Sequence, residues 1–423
     1  MTTIRPIFDS HLDLGWSAVS YNRDLTQPLA EIRRREQGMT DAPSRGRNTL
    51  TLPELKRAGV LTCVGTLLAR SGPEPKWHAY KRTDLDHSSQ SIAYAVAHGQ
   101  LAYYQLLEKQ GYLRFIRTSK ELREHWTLIT SITMTAAANS PSPSTPGTPG
   151  EGWGGGRVEG APFARTPSLT LPRSTGGGDQ IVVGGADKKA LAGADVPLGM
   201  ILSMEGTDPI ISPAQVEEWW NLGLRAAGPA HYGRSHYAYG TAVDGPLSAA
   251  GVELLKEFSR LGMILDVTHL CDRSMAQALE LFDGPVLASH HNCRALVPGD
   301  RQLADEQIRR LIDRGAVIGA ALDAWMLYPN WERGKTSPQV VGLDAVADHI
   351  DHVCRIAGNS NHAAIGSDLD GGFGTEQTPR DLDTITDLQK LNGILAARGY
   401  SDADIDRIFH GNWLRFFDSA LPR

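Results

Sequence analysis

The chain has 423 residues and a formal net charge of −6; hydrophobic residues make up 41% of it and charged residues 21%, an ordinary globular composition. This balance gives no electrostatic reason to bind nucleic acid, and no apolar run is long enough to cross a bilayer. The first residues, MTTIRPIFDSHLDL, lack the apolar core of a signal peptide, which predicts a cytoplasmic protein. The four cysteines include no C-x-x-C pair, so neither a disulfide framework nor a thiolate zinc site is expected.

Short apolar runs alternate with amphipathic stretches along most of the chain. We predict strands over Pro6–Asp9, Val60–Leu67, Leu113–Ile116, Met200–Met204, Leu224–Ala226, Met263–Val267, Val286–Ala288, Val317–Ala320 and Ala364–Gly366. Helices are predicted over Leu85–Gln110, Ser119–Trp126, Ser212–Leu222, Ala249–Leu261, Arg273–Leu281, Ala304–Asp313, Leu343–Ala357 and Asp381–Arg398. This alternation indicates an α/β fold, and about eight such units favour a closed, TIM-like (β/α)8 barrel. An open doubly wound sheet is the alternative.

One segment, residues 137–185, interrupts the alternation. It is dominated by Pro, Gly, Ser and Thr and has no hydrophobic period. Such a composition cannot bury enough apolar area to offset the entropy of ordering it, so we predict a flexible low-complexity insertion. The strand–helix alternation resumes after the segment. Residues 1–423 are therefore predicted to form a single barrel domain rather than two domains joined by a linker.

The first predicted strand is followed by the pattern His11-Leu12-Asp13. Residues two apart on a strand point to the same face, so His11 and Asp13 are expected to share one. A neutral imidazole and a carboxylate are good ligands for zinc. Taken alone the pattern is weak, because a polar strand end followed by a helix cap has the same residues.

Four further candidates also stand where an apolar run ends: Glu205, His269, His290 and Asp368. Desolvating such side chains is costly unless they are paired or bound to a metal. The carboxyl ends of barrel strands converge on one face, where active sites lie. The set as a whole predicts a metal-dependent active site.

With these residues in view, the sequence resembles the membrane (renal) dipeptidase family of zinc peptidases over nearly the whole chain outside the insertion. The resemblance is carried by HLD at 11–13, SMEG at 203–206, DVTH at 266–269 and SH at 289–290. It implies a (β/α)8 barrel with two Zn²⁺ ions per chain. One ion would be held by His11 and Asp13, the other by His269 and His290, with Glu205 bridging both. Mn²⁺ and Co²⁺ accept the same ligands, so the native metal stays open.

The resemblance also implies roles for three residues around the substrate. His231, in GLRAAGPAH, falls at the substrate-facing histidine, although His236 competes for this assignment. Arg301, eleven residues after His290, falls at the arginine that holds the substrate carboxylate. Asp368 falls at the aspartate that transfers the proton. The implied activity is hydrolysis of dipeptides by a hydroxide that bridges the ions, and the resemblance suggests a homodimer.

Two departures from the family pattern bear on specificity. The chain has Gly206-Thr207-Asp208 where the family often has Gly-Gly-His, and the loop after His231 differs. They leave open a related metal-dependent amidohydrolase acting on a non-peptide amide or lactam. A non-catalytic binding protein on a decayed scaffold is disfavoured, because all five expected metal ligands are present.

Other polar residues are predicted to have structural roles. Asp370 is assigned to a loop or a cap. His349 and His352 have an i, i+3 spacing that suits a metal, but a solvated helix face is the simpler prediction.

Overall fold

The computed structural model describes residues 4–73, 85–138 and 196–423. The strands are β1 Ile7–Leu12, β2 Val60–Leu68, β3 Arg70–Ser71, β4 Asp86–His87, β5 Leu113–Phe115, β6 Leu198–Glu205, β7 Leu224–Gly228, β8 Ile264–Asp266, β9 Val286–Leu287, β10 Ile318–Ala320 and β11 Ala363–Ile365. The α-helices are α1 Leu14–Tyr21, α2 Leu29–Arg35, α3 Leu52–Ala58, α4 Gln90–Lys109, α5 Ser119–Ala138, α6 Val216–Asn221, α7 Ala249–Leu261, α8 Asp272–Leu281, α9 Asp305–Asp313, α10 Leu343–Ala357, α11 Lys390–Ala397, α12 Asp402–Asp406 and α13 Asn412–Ala420. Short 3₁₀ helices span Pro213–Gln215, Ala324–Met326, Pro338–Val340 and Ile385–Gln389, and a π turn spans Arg407–Gly411.

The strands of the central sheet are parallel and form a ring. Pairing gives the order β1-β2-β6-β7-β8-β9, with β5 beside the start of β6. A parallel bridge between Ala288 and Ile318 continues the order from β9 to β10, and β10 pairs with β11. Ser10 Oγ in β1 donates to the carbonyl of Ile365 in β11 at 3.2 Å, which brings the last strand beside the first. The predicted (β/α)8 barrel is confirmed, and the open-sheet alternative is wrong.

The interior of the ring is tightly filled. A Cβ built on Gly319 or Gly366 would lie 2.0 or 1.8 Å from the carbonyl oxygen of Ser289. Only glycine leaves room for this close approach. All residues of β1 and β6 are buried, as expected of parallel strands that are covered on both faces.

The observed helices differ from the predicted ones at identifiable signals. Helix α4 begins at Gln90 and not at Leu85, because the Ser89 side chain accepts the backbone N–H of Ile92 and caps the helix there. Asp86 and His87, at the start of the predicted helix, form strand β4, which pairs with β3. Helices α1 to α3, between β1 and β2, were not predicted. Each has eight residues or fewer, too short to show a clear helical period.

By its internal contacts the chain divides into two units, residues 1–129 with 196–423, and residues 130–195. The first unit contains the ring of strands. The predicted insertion, 137–185, lies almost wholly outside the described residues; its flexibility and the single-domain organisation stay predictions. Within the described ranges, no helix has the length and apolar character needed to span a membrane. All four cysteines are buried free thiols.

Candidate metal centre and active site

The carboxyl ends of the strands bring the predicted metal ligands together around Glu205, the last residue of β6. His11 lies in β1, and Asp13 directly follows that strand. His269 and His290 lie in the loops just beyond β8 and β9. Three overlapping groups within this cluster have ligand atoms all within 4.8 Å of one another: His11, Asp13 and Glu205; Glu205, His269 and His290; and His11, His290 and Asp368.

The two carboxylate oxygens of Glu205 face different halves of the cluster. Oε2 lies 3.6 Å from Nε2 of His11, which is itself 3.8 Å from Oδ1 of Asp13. Oε1 lies 3.2 Å from Nε2 of His269 and 3.2 Å from Nε2 of His290. The side chain thus stands between the two sets of ligands that the sequence analysis proposed for two ions.

Hydroxyl groups fix the orientation of the three imidazoles. Ser289 Oγ lies 3.3 Å from Nδ1 of His11 and 3.0 Å from Nδ1 of His290, and Thr241 Oγ1 lies 3.0 Å from Nδ1 of His269. Because every Nδ1 has a hydroxyl partner, every Nε2 is directed at Glu205. Partners of this kind set the tautomer and ring orientation of metal-binding histidines. Neither hydroxyl residue was predicted from the sequence, although Ser289 directly precedes His290.

The cluster has the polar atoms and the charge that a cation requires. Among the residues that the structure describes, Nε2 of His11 and Oε1 of Glu205 are buried without a hydrogen-bond partner. Burial lowers the pKa of His11, but Glu205 and Asp13 outweigh it and hold that pKa well above its ordinary value. Burial also holds the pKa values of His269 and His290 well below theirs, which leaves neutral imidazoles. Imidazoles and carboxylates that converge on one point form a donor set suited to a divalent ion such as zinc.

Two of the site residues adopt a backbone conformation that is unfavourable for them. His269 has a φ of 69° and Asp368 a φ of 58°, both in the left-handed region. Residues other than glycine seldom occupy this region, and each instance costs on the order of 1 kcal/mol. The loops after β8 and β11 hold these two side chains at the cluster against that cost.

A cavity of about 700 Å³ opens onto the cluster. Seven of the eight predicted site residues line it: Asp13, Glu205, His231, His269, His290, Arg301 and Asp368. The eighth, His11, lies behind them in β1. His236 does not line the cavity and donates its backbone N–H to Asp208, so the structure places His231 rather than His236 at the site.

The Arg301 side chain lines the cavity, but it is buried and only partly hydrogen-bonded. The residue is only 1% exposed. Its Nη2 donates to the carbonyl of His290 at 3.0 Å, while Nε and Nη1 are buried without a hydrogen-bond partner in the part of the chain that the structure describes. Unpaired buried N–H groups of a charged side chain are costly, so this guanidinium is poised for an anionic acceptor.

Arg70, in β3, determines which nitrogen of His231 carries the proton. Its Nη1 lies 3.1 Å from Nδ1 of His231, and Asp86 Oδ2 holds the other arm at 2.6 Å. A guanidinium only donates, so Nδ1 accepts and the proton is on Nε2, which lies 3.8 Å from Oε1 of Glu205. Burial lowers the pKa of His231 to about 3, which keeps the ring neutral. His231 therefore presents one N–H to the cavity. Arg70 was not predicted from the sequence.

The residues predicted to be structural lie away from the cavity. Asp370 accepts the backbone N–H of Thr49 at 2.7 Å, as expected of a loop residue. The solvated helix face predicted for His349 and His352 is wrong for His349, which is buried because α10 packs that side against the barrel. Its Nδ1 accepts the backbone N–H of Cys293 at 3.0 Å.

Comparison with solved structures agrees with this fold. A metallopeptidase from Rhodobacter sphaeroides, crystallised with a phosphinate mimic of the dipeptide L-Ala-D-Ala, superposes with a TM-score of 0.66 at 20% identity. The match covers 99% of this chain and 100% of that one. At this level of identity the comparison establishes the shared barrel.

Sequence comparisons identify the family. A protein of Klebsiella pneumoniae described as an uncharacterized protein in the pqqA 5′ region is 29% identical over 52% of this chain and 82% of its own length. Dipeptidase verJ of Clonostachys rogersoniana is 30% identical over 53% of this chain, a match that spans only 55% of that protein. The family model described as "Membrane dipeptidase (Peptidase family M19)" matches residues 182–421, more than half of the chain. The predicted resemblance is confirmed: the chain belongs to the membrane dipeptidase family of metallopeptidases, peptidase family M19.

Proposed function

We propose that this protein is a binuclear zinc dipeptidase that cleaves dipeptides with a free C-terminal carboxylate. The observation that carries the proposal is Arg301, whose unpaired N–H groups line the same cavity as the Glu205 cluster. A guanidinium fork matches a carboxylate in geometry and charge. An anchor at a fixed distance from the cluster leaves room for one residue beyond the scissile bond. Family membership and the dipeptide mimic held by the Rhodobacter sphaeroides structure support this substrate class.

The proposed ligands divide at Glu205. His11 and Asp13 with one carboxylate oxygen would hold the first Zn²⁺, and His269 and His290 with the other oxygen the second. Bound there, the ions would bring the pKa of water towards neutrality and polarise the scissile carbonyl. Thr66 Oγ1 donates to Asp13 and orients that carboxylate.

Two residues supply the remaining chemistry. His231 directs its Nε2–H into the cavity and would donate to the oxygen that gains charge as the carbonyl is attacked; losing one such donor typically costs about 100- to 1,000-fold in rate. Asp368 lies 3.9 Å from Nε2 of His11 and 4.0 Å from Nε2 of His290. Burial, with nearby carboxylates, raises the pKa of Asp368 well above its ordinary value, although His11 lowers it. It would accept a proton from water and return it to the leaving nitrogen.

A substrate screen tests the proposal. Metal-replete protein is assayed with L-L and L-D dipeptides, and bound metal is counted by mass spectrometry. We expect hydrolysis of at least one dipeptide series and two zinc ions per chain. Fewer than one ion per chain contradicts the binuclear centre. Cleavage of a lactam or another non-peptide amide, with no dipeptide cleaved, favours the related amidohydrolase instead.

A further inference from the structure

The wall of the cavity contains a buried carboxylate that the proposed chemistry does not use. Asp323 follows β10, is 5% exposed and lines the cavity together with Arg301 and Asp368. Its side chain accepts the backbone N–H of Trp325 at 3.4 Å and caps the 3₁₀ helix Ala324–Met326. Aspartate is seldom buried, so burial of a carboxyl group at this position calls for an explanation beyond capping.

The hydrogen-bond partners of Asp323 within the described residues are all neutral. Gln377 Nε2 donates to both carboxylate oxygens, at 2.9 and 3.0 Å, and the third donor is the Trp325 backbone. Among the described residues, no basic group lies within ion-pair distance of it; the nearby Arg333 is exposed and acts only at longer range. Burial accordingly raises the pKa of Asp323 to about 7, and these neutral donors and Arg333 only partly offset it. A buried anion without a cation is an incomplete pair.

The same cavity therefore holds a guanidinium with unpaired nitrogens, that of Arg301, and a carboxylate with only neutral partners, that of Asp323. A ligand that completes both carries a carboxylate and an ammonium group. An unblocked dipeptide has this character at neutral pH, since its α-carboxyl and α-amino groups are both ionised.

We propose that Asp323 binds the free α-ammonium group of the substrate and so restricts the enzyme to dipeptides with an unblocked amino terminus. This inference rests on the proposed dipeptidase function and extends it to the other end of the substrate. An ammonium group has three donors, and the carboxylate retains acceptor positions beyond those that Gln377 and Trp325 occupy. Gln377 holds the carboxylate in place while adding no charge of its own.

The experiment compares two compounds of nearly the same shape. Alanyl-alanine carries the ammonium group, and N-propionyl-alanine has the same skeleton without it. Metal-replete wild-type protein is expected to prefer alanyl-alanine by about 100-fold in kcat/KM, the scale of a buried charge-assisted contact. The substitution Asp323→Asn keeps the size and the helix cap but removes the charge. It is expected to reduce this preference at least about 10-fold, with the loss confined to alanyl-alanine.

Two further variants are needed, one as a substitute for the asparagine variant and one as a control. Asp323→Ser keeps a capping hydroxyl, and serves if the asparagine variant does not fold. Asp370→Asn is the matched control. Asp370 is also a buried carboxyl whose pKa burial raises, but it does not line the cavity and accepts the backbone N–H of Thr49 at 2.7 Å. The control is expected to leave the preference between the two compounds unchanged.

The outcomes separate this inference from the dipeptidase proposal. An unchanged preference in a folded Asp323 variant, or an equal loss with both compounds, overturns the ammonium site while leaving the dipeptidase intact. If wild-type protein cleaves neither these compounds nor any dipeptide of the screen, the dipeptidase proposal fails. The ammonium site is then judged by calorimetric affinities of the two compounds for wild-type and variant protein, and equal affinities overturn it.

Discussion

Two buried arginines in this barrel are in opposite states. Arg23, between α1 and α2, donates Nε and Nη2 to the two carboxylate oxygens of Glu36 at 2.8 and 3.0 Å, and Nη2 also reaches the carbonyl of Ser44 at 3.0 Å. Arg301 is buried to the same degree but, within the described ranges, has a single carbonyl partner and two unpaired nitrogens. Both side chains are almost fully removed from solvent.

The difference shows that burial of charge does not by itself identify a functional site. In the Arg23–Glu36 pair every strong donor faces an acceptor of the chain, so the pair holds the connection between β1 and β2 together. In the cavity, polar atoms of charged side chains are buried without a hydrogen-bond partner among the described residues: Nε and Nη1 of Arg301 and Oε1 of Glu205. Incomplete pairing, rather than burial, marks where a ligand belongs.

The largest expected effect tests the incomplete pairing at Glu205. Glu205→Gln keeps the shape but removes the charge that faces both halves of the cluster. We expect loss of bound metal and a fall in kcat/KM of at least about 1,000-fold, because the ions would supply several kcal/mol to the reaction. Metal analysis and dipeptide kinetics measure both. A variant with wild-type metal content and activity contradicts the role given to Glu205.

For the Arg23–Glu36 pair, we expect a loss of stability rather than a loss of activity. Arg23→Met leaves the Glu36 carboxylate buried with only part of its partners, which destabilises the fold by about 3–5 kcal/mol. Activity per folded molecule should stay within about threefold of wild type, because Arg23 does not line the cavity. Urea unfolding and kinetics at low temperature measure the two quantities. A stable but inactive variant would remove the distinction between the two arginines.

For Arg301→Met, we expect a loss of activity rather than a loss of stability. We expect kcat/KM for dipeptides to fall about 100-fold, mostly through KM, because an ion pair to the substrate carboxylate is lost. Stability should hold or rise, since an unpaired buried charge is removed. Thermal unfolding and steady-state kinetics test this. Unchanged dipeptide kinetics would contradict carboxylate recognition by Arg301.

The smallest effect concerns the contact between Arg70 and His231. Arg70→Met lets the imidazole adopt either tautomer, and we expect kcat to fall about 10-fold with little change in KM, the scale of a lost orienting partner. Arg70→Lys keeps a donor and should recover most of kcat. If the lysine and methionine variants behave alike, Arg70 does not act through the tautomer of His231.

The metal cluster could be predicted from the sequence because its residues lie at the ends of apolar runs. His11, Glu205, His269 and His290 each stand where a buried strand meets a loop, and a barrel brings such positions together. Ser289, Thr241 and Arg70 were not accessible in this way, since a hydroxyl or a guanidinium beside an imidazole is a tertiary contact without a sequence period. Asp323 had no signal that distinguished it from a helix cap.

The fold was predictable to the same extent. Buried parallel strands and long helices such as α7 and α10 have clear apolar patterns and were placed within a few residues. Helices α1 to α3 were missed because their positions depend on tertiary contacts such as the Arg23–Glu36 pair rather than on their own periodicity. The start of α4 was misplaced because the cap at Ser89 outweighs the apolar pattern before it.

The left-handed backbone at His269 and Asp368 has a consequence for how this protein can evolve. Glycine would relieve the conformation at Asp368 and would also remove a buried carboxyl. Asp368→Gly is therefore expected to be more stable than the natural protein and inactive. Selection for thermal stability alone would favour replacement of this aspartate. Its presence is therefore a trade-off in which the activity it supports outweighs the stability it costs.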